Sequence, residues 1–143
     1  MPIGWGVEHA ARLVVATATG VVNRTDIEAY LDDLVTAATL SYRKVFDMGD
    51  CRLVLSDDDM RAIGERVRSH ERLGPMGKVA IIAVHDEHYE QARLFEAVVV
   101  AERPLKVFRD ARSAYDWLAQ GLPEGLELSE TRRVAAGKVP PGG

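Results

Sequence analysis

Val79, Ala80, Ile81, Ile82, Ala83 and Val84 (VAIIAV) form an unbroken apolar run. A strand with one wet face alternates apolar and polar residues, whereas a strand apolar at every position is covered on both faces, as in the centre of a parallel sheet. Parallel neighbours are joined by long crossovers, usually helices, so the run should have helical segments on both sides. Upstream, Ser56 is placed to cap a helix, with Asp59 in the reciprocal position and Asp57 and Asp58 in the first turn, where the helix dipole favours negative charge. Met60, Ile63 and Val67 make its inward stripe, His70 continues it, and Gly74-Pro75 ends it. Downstream, a helix is expected from about Glu87 to Ala101, carrying Leu94, Phe95, Val98, Val99 and Val100 and stopping before Pro104.

Working outward, Val45 and Phe46 lead a strand to Asp47, and Leu105, Val107 and Phe108 make a last strand. Asp110 caps a final helix with Ala114, Tyr115, Trp117 and Leu118 on its inner face and Gly121 at its end. Nearer the start, Thr25 is the expected cap of a first helix, with Glu28 completing the box. Ile27, Tyr30, Leu31, Leu34, Val35 and Ala38 recur on one side of it. Trp5, Val7 and His9, then Leu13 to Ala16, predict an opening hairpin that turns near Ala10 to Arg12. Leu53 to Leu55 is too short a run to assign. The fold class is therefore α/β: a mixed, mostly parallel five-stranded sheet with an N-terminal antiparallel hairpin and four helices, in the order β-β-α-β-α-β-α-β-α.

The chain of 143 residues fits one domain, expected over 1–122, with a tail at 123–143 whose VPPGG end has the composition of disordered chain. The net charge of -4, with Lys and Arg scattered among acids, argues against nucleic acid as a partner. No apolar stretch approaches the roughly 20 residues of a membrane span, and the start lacks a signal-peptide pattern, so a cytoplasmic protein is expected. A single cysteine, Cys51, has Arg52 on one side and Asp50 on the other, a balance that reads as a small half-buried residue rather than an activated thiol.

The set VFDM at 45–48, GPMGKVAIIAV at 74–84 and KVFRDARSAYDWL at 106–118 resembles the small bacterial SpoIIAA-like proteins of the STAS superfamily, including the stand-alone STAS/SEC14-domain branch. The resemblance covers about residues 5 to 120. It implies a binding or regulatory module without catalysis or cofactor. In antagonist members a strand ends in Asp and a loop leads to an Asp-Ser pair at the next helix, where the Ser is phosphorylated. Asp47 matches the first position. The later pair corresponds to Ser56-Asp57, with an aspartate where the switch serine stands, unless a one-residue shift leaves Ser56 in that role. The link to SEC14-like carriers implies that an apolar ligand or lipid is a second kind of partner.

The candidate site residues are Asp47, Gly49, Ser56, Asp57, His85 and His88. The strand-to-helix passage from 45 to 60 is where ligands sit in open α/β sheets. Its aspartates invite a Mg2+ hypothesis, but successive helical residues point about 100° apart and cannot all converge on one ion. His85 and His88 lie beyond the central strand, without a zinc-binding spacing. No nucleophile motif or phosphate loop is present. Because LFEAVVVA (94–101) is apolar nearly all round, Val99 or Val100 is expected either to be deeply buried or to meet a second subunit or an apolar ligand. Three functions follow as expectations: a protein-binding module using the 47–60 turn, an apolar-ligand domain with a pocket under the third helix, and, third, a metal-assisted hydrolase.

Overall fold

The computed structural model describes residues 2–98 and 105–120. Its elements are β1 (Ile3–Glu8), β2 (Leu13–Ala18), β3 (Val21–Asn23), α1 (Arg24–Thr36), β4 (Arg43–Asp47), β5 (Arg52–Val54), α2 (Asp57–Glu71), β6 (Val79–Ile82), α3 (Asp86–Val98), β7 (Leu105–Phe108) and α4 (Ala111–Ala119). The main sheet has five strands in the order β1-β2-β4-β6-β7. The hairpin is antiparallel, with Ile3 opposite Ala18, and every later pair is parallel: Leu13 with Arg43, Lys44 with Val79, and Val79 with Leu105. All four residues of β6 are buried, as a strand covered on both faces requires.

The main-sheet strands lie in sequence order, and this decides where the helices go. A right-handed crossover that always steps in one direction deposits its helix on the same face each time. The three crossover helices α1, α2 and α3 accordingly share one core with Val14, Ala16, Val79 and Ile81. The fourth, α4, follows the last strand of the described residues and packs on the opposite face through Ala114, Tyr115 and Leu118. The period of two along each strand sorts the side chains: Phe46 and Met48 go to the three-helix side, Val45 to the other, and Ala80 and Ile82 oppose Val79 and Ile81 in the same way.

Three local expectations are corrected. Asn23, not Thr25, caps α1: Asn23 Oδ1 accepts from Asp26 N at 3.1 Å while Asp26 Oδ2 accepts from Asn23 N at 3.0 Å. Asn and Asp make this reciprocal pair as well as Thr and Glu do, and the chain closes it two residues earlier. Asn23→Ala is expected to cost about 1 kcal/mol in a urea melt, and Thr25→Ala within about 0.5 kcal/mol of nothing. Ala38 is not on the helix face. Helix α1 ends at Thr36, and Ala38 takes a left-handed φ of 58° so that the Thr39 N–H and hydroxyl both reach the Leu34 carbonyl at 3.0 Å. Leu94 is 54% exposed rather than part of the α3 core, whose fully buried members are His88 and Ala92.

The short run around Leu53 joins a second sheet. Val21 to Asn23 and Arg52 to Val54 pair in parallel as β3 and β5, and α1 and α2 begin just beyond their two ends. Val99, Val100, Gly121 and the 123–143 tail lie outside the described residues.

Candidate functional site

The chain leaves β4 through a tight turn. Asp47 Oδ1 accepts from Gly49 N at 2.9 Å, and Met48 N donates to Ile82 O at 3.0 Å, extending the β4–β6 ladder by one rung. Gly49 has φ 50°, and a Cβ there would stand 3.1 Å from the Ala18 carbonyl, so the turn needs glycine. Cys51 is buried rather than half-buried. Burial, and then Asp47 and Asp50, push its thiol above its ordinary pKa, which keeps it protonated and poorly nucleophilic.

The start of α3 meets this turn. His85 Nε2 lies 2.7 Å from Asp50 Oδ1, and the two histidine rings touch edge to face with centroids 5.5 Å apart. His88 is buried, and its Nε2 approaches the Cys51 carbonyl at 2.6 Å. A carbonyl oxygen only accepts, so Nε2 carries the proton. The structure thus brings Asp47, Gly49, His85 and His88 to one place. Ser56 and Asp57 serve the start of α2 instead: Ser56 Oγ accepts from Asp59 N at 3.0 Å, Ser56 N donates to Asp59 Oδ2 at 2.9 Å, and Asp57 is exposed in the first turn. That cap holds the Asp59 carboxyl below its ordinary pKa, chiefly through the Ser56 backbone N–H. Among the described residues no group of three or more His, Cys, Asp or Glu side chains is arranged to hold a metal ion.

The larger feature lies elsewhere. Because the strand order runs one way across the sheet, from β1 to β7, the described residues contain no switch point to open a crevice at the strand ends. The three-helix layer instead stands over one face, and it does not close on the sheet: a cavity of about 110 Å3 remains between them. Phe46, Met48, Val79 and Ile81 line it from the sheet, and Leu34, Ile63, Ala92 and Phe95 from the helices. Leu53 and Leu55 extend the wall on the β5 side. Met48, Met60 and Met76 are all in the wall, so three of the four methionines of the chain surround one void, and their flexible thioethers let it change shape.

Lys44, His70 and Gln91 interrupt this lining, and Tyr30 adds a phenol ring to it. Lys44 is buried, with its ammonium donating to the carbonyls of Leu40 at 2.6 Å and Tyr42 at 2.7 Å. His70 Nε2 lies 3.4 Å from Asp32. Lys44 and Gln91 escaped the reading of the sequence. The alternation Lys44, Phe46, Met48 was the available signal, since it puts a lysine on the inner face of a buried strand.

No protein-family model matches the sequence, and no curated protein matches it. Among solved structures, the chain is similar to an uncharacterized protein of the DUF3478 family from Shewanella loihica PV-4, described as having a SpoIIAA-like fold. The superposition has a TM-score of 0.55 at 23% identity, over 81% of this chain and 93% of that one. This chain has a SpoIIAA-like fold. The sheet with its antiparallel hairpin and four helices is therefore as expected for that fold. In this SpoIIAA-like chain the start of α2 presents Ser56 and Asp57 on the surface, while the void lies beneath the same helix, at Met60, Ile63 and Val67. No helix among the described residues is long and apolar enough to cross a membrane.

Proposed function

We propose that this chain is a non-enzymatic binding domain whose ligand is a small apolar molecule held between the sheet and the three-helix layer. The observation that supports this reading is the cavity of about 110 Å3 with its almost wholly apolar wall. Protein interiors are packed like organic crystals, so an apolar space of this size forgoes packing contacts that a tighter core would make. A fold selected for stability alone would fill it, for instance with a larger residue than Ala92. For scale, an apolar cavity of roughly 150 Å3 holds benzene. The methionine wall offers the small expansion such a ligand needs.

A ligand that binds only the folded state stabilises it by about 2.7 kcal/mol when present at 100 times its Kd. Toluene is therefore expected to raise the urea midpoint with no change in slope, and Ala92→Leu to remove that response by occupying the space. Native mass spectrometry of protein purified from cells is expected to show a bound apolar species. A clean apo mass together with an unmoved midpoint would count against the proposal.

A further inference from the structure

The cavity wall has aliphatic members such as Leu34 and Ile63, but a second group stands among them. Trp5, Tyr30 and Phe46 form a run of rings, each edge to face on the next, with centroids 6.3 Å apart at 75° and 5.5 Å apart at 60°. The run starts in β1, passes through α1 and ends on β4, and its last two members, Tyr30 and Phe46, belong to the wall. Phe95 brings a further ring to it from α3. Aromatic rings favour edge-to-face contact because the positive rim of one meets the negative face of the other. The three methionines of the wall come from three separate places in the chain: Met48 just past β4, Met60 in α2 and Met76 ahead of β6. A methionine side chain ends in its thioether and methyl group, and its sulfur is attracted to the edge of an aromatic ring at about 5 Å.

We infer that the cavity selects an aromatic ring over a saturated ring of equal size. The inference rests on the proposal that the cavity holds an apolar ligand, and it names the class of that ligand. Two opposed effects decide between toluene and cyclohexane, which are nearly equal in volume. Cyclohexane has no π face with which to attract water, so burial alone favours it. A wall that is only apolar would therefore prefer the saturated ring. Toluene gains where the wall carries rings and thioethers, and two such contacts together are worth about tenfold in affinity. With Tyr30, Phe46 and Phe95 beside Met48, Met60 and Met76 around one space, the second effect is the larger.

Affinities of the full chain for toluene and cyclohexane, measured by NMR titration, test the inference. The parent protein is expected to bind toluene at least about threefold more tightly, the reverse of the order in which the two leave water. Met48→Leu combined with Met60→Leu conserves side-chain volume and removes two sulfurs, and it should lower the toluene-to-cyclohexane ratio about threefold while leaving cyclohexane binding unchanged. A merely structural role of the methionines would move both ligands together. A preference for toluene that survives the substitution upholds the selection and assigns it to the rings. The comparison in the unmodified protein decides even where the double variant does not fold. Cyclohexane binding as tightly as toluene overturns this inference and leaves the cavity as a site for apolar molecules in general. Failure of both ligands to bind removes the ligand proposal and this inference with it.

Discussion

Gly77→Ala is expected to destabilise the protein by roughly 3–5 kcal/mol, at the upper end of what single substitutions do. A Cβ at this position would overlap the Tyr42 carbonyl oxygen and stand 2.6 Å from the Tyr42 carbonyl carbon and 2.7 Å from Ser41 O. These are backbone atoms, so no rotamer change relieves the clash, and the 41–42 segment itself has to move. That segment is tied down on both sides. Gly77 N donates to Leu40 O at 2.9 Å, and Lys44 N donates to Lys78 O at 2.9 Å, so the two chains cross at the first rung of the β4–β6 pair. The Leu40 and Tyr42 carbonyls also anchor the buried Lys44 ammonium, and displacing them uncouples a charge from its acceptors. Urea denaturation of Gly77→Ala beside Gly4→Ala is the measurement. A Cβ at Gly4 has nothing within 4 Å, and that variant should stay within about 0.5 kcal/mol of the parent protein. Equal stabilities for the two would show that the 41–42 crossing yields more easily than its hydrogen bonds imply.

The second large effect concerns the two cores. Ile63→Ala and Leu118→Ala each remove a side chain that is 1% and 0% exposed respectively, and each should cost about 2–5 kcal/mol. They differ in what surrounds the vacated space. Ile63 is part of the cavity wall, so its truncation enlarges a void that already exists, and an apolar molecule added to the solution has somewhere to go. Leu118 packs under α4 on the far face of the sheet, apart from that void. Toluene is therefore expected to stabilise Leu118→Ala only as much as the parent protein, whose cavity that variant keeps, and to stabilise Ile63→Ala by more at the same toluene concentration, because the enlarged void binds it more tightly. A gain over the parent in Leu118→Ala, or no gain over the parent in Ile63→Ala, would show that the ligand acts on something other than the three-helix side.

Much of the architecture was legible in the sequence because it rests on patterns with one physical cause. A run such as Val79 to Val84 has few ways to bury both faces, and the Ser56–Asp59 cap announces a helix wherever it occurs. What escaped depended on contacts between distant residues. Val21 and Leu53 carry no sign that three-residue strands around them will pair across thirty positions of chain. The Asn23 cap was hidden by an equally good box two residues later. The acidity of the 45–60 stretch was visible, and so was its use in capping, but the partnership of Asp50 with His85 was not. A pocket under the third helix was expected from the apolar 94–101 run, but that it spreads beneath all three crossover helices was not legible. The extent of a void is a small difference between the volumes of two layers, set by where Ala92, Met48 and Met76 end up relative to one another, and no single residue in the string fixes it.

The sheet in which spatial order follows chain order has one more consequence, in the time domain. During synthesis the β1–β2 hairpin emerges first and pairs locally, and each later β-α unit can dock on the parallel edge left by the one before it. No strand waits for a partner made later to be inserted between two already placed. Until residues 105–108 leave the ribosome, however, β6 is the open edge, and it is the most apolar strand of the chain. The interval between the emergence of Ile82 and of Phe108 is when a nascent chain of this protein most needs protection from its neighbours.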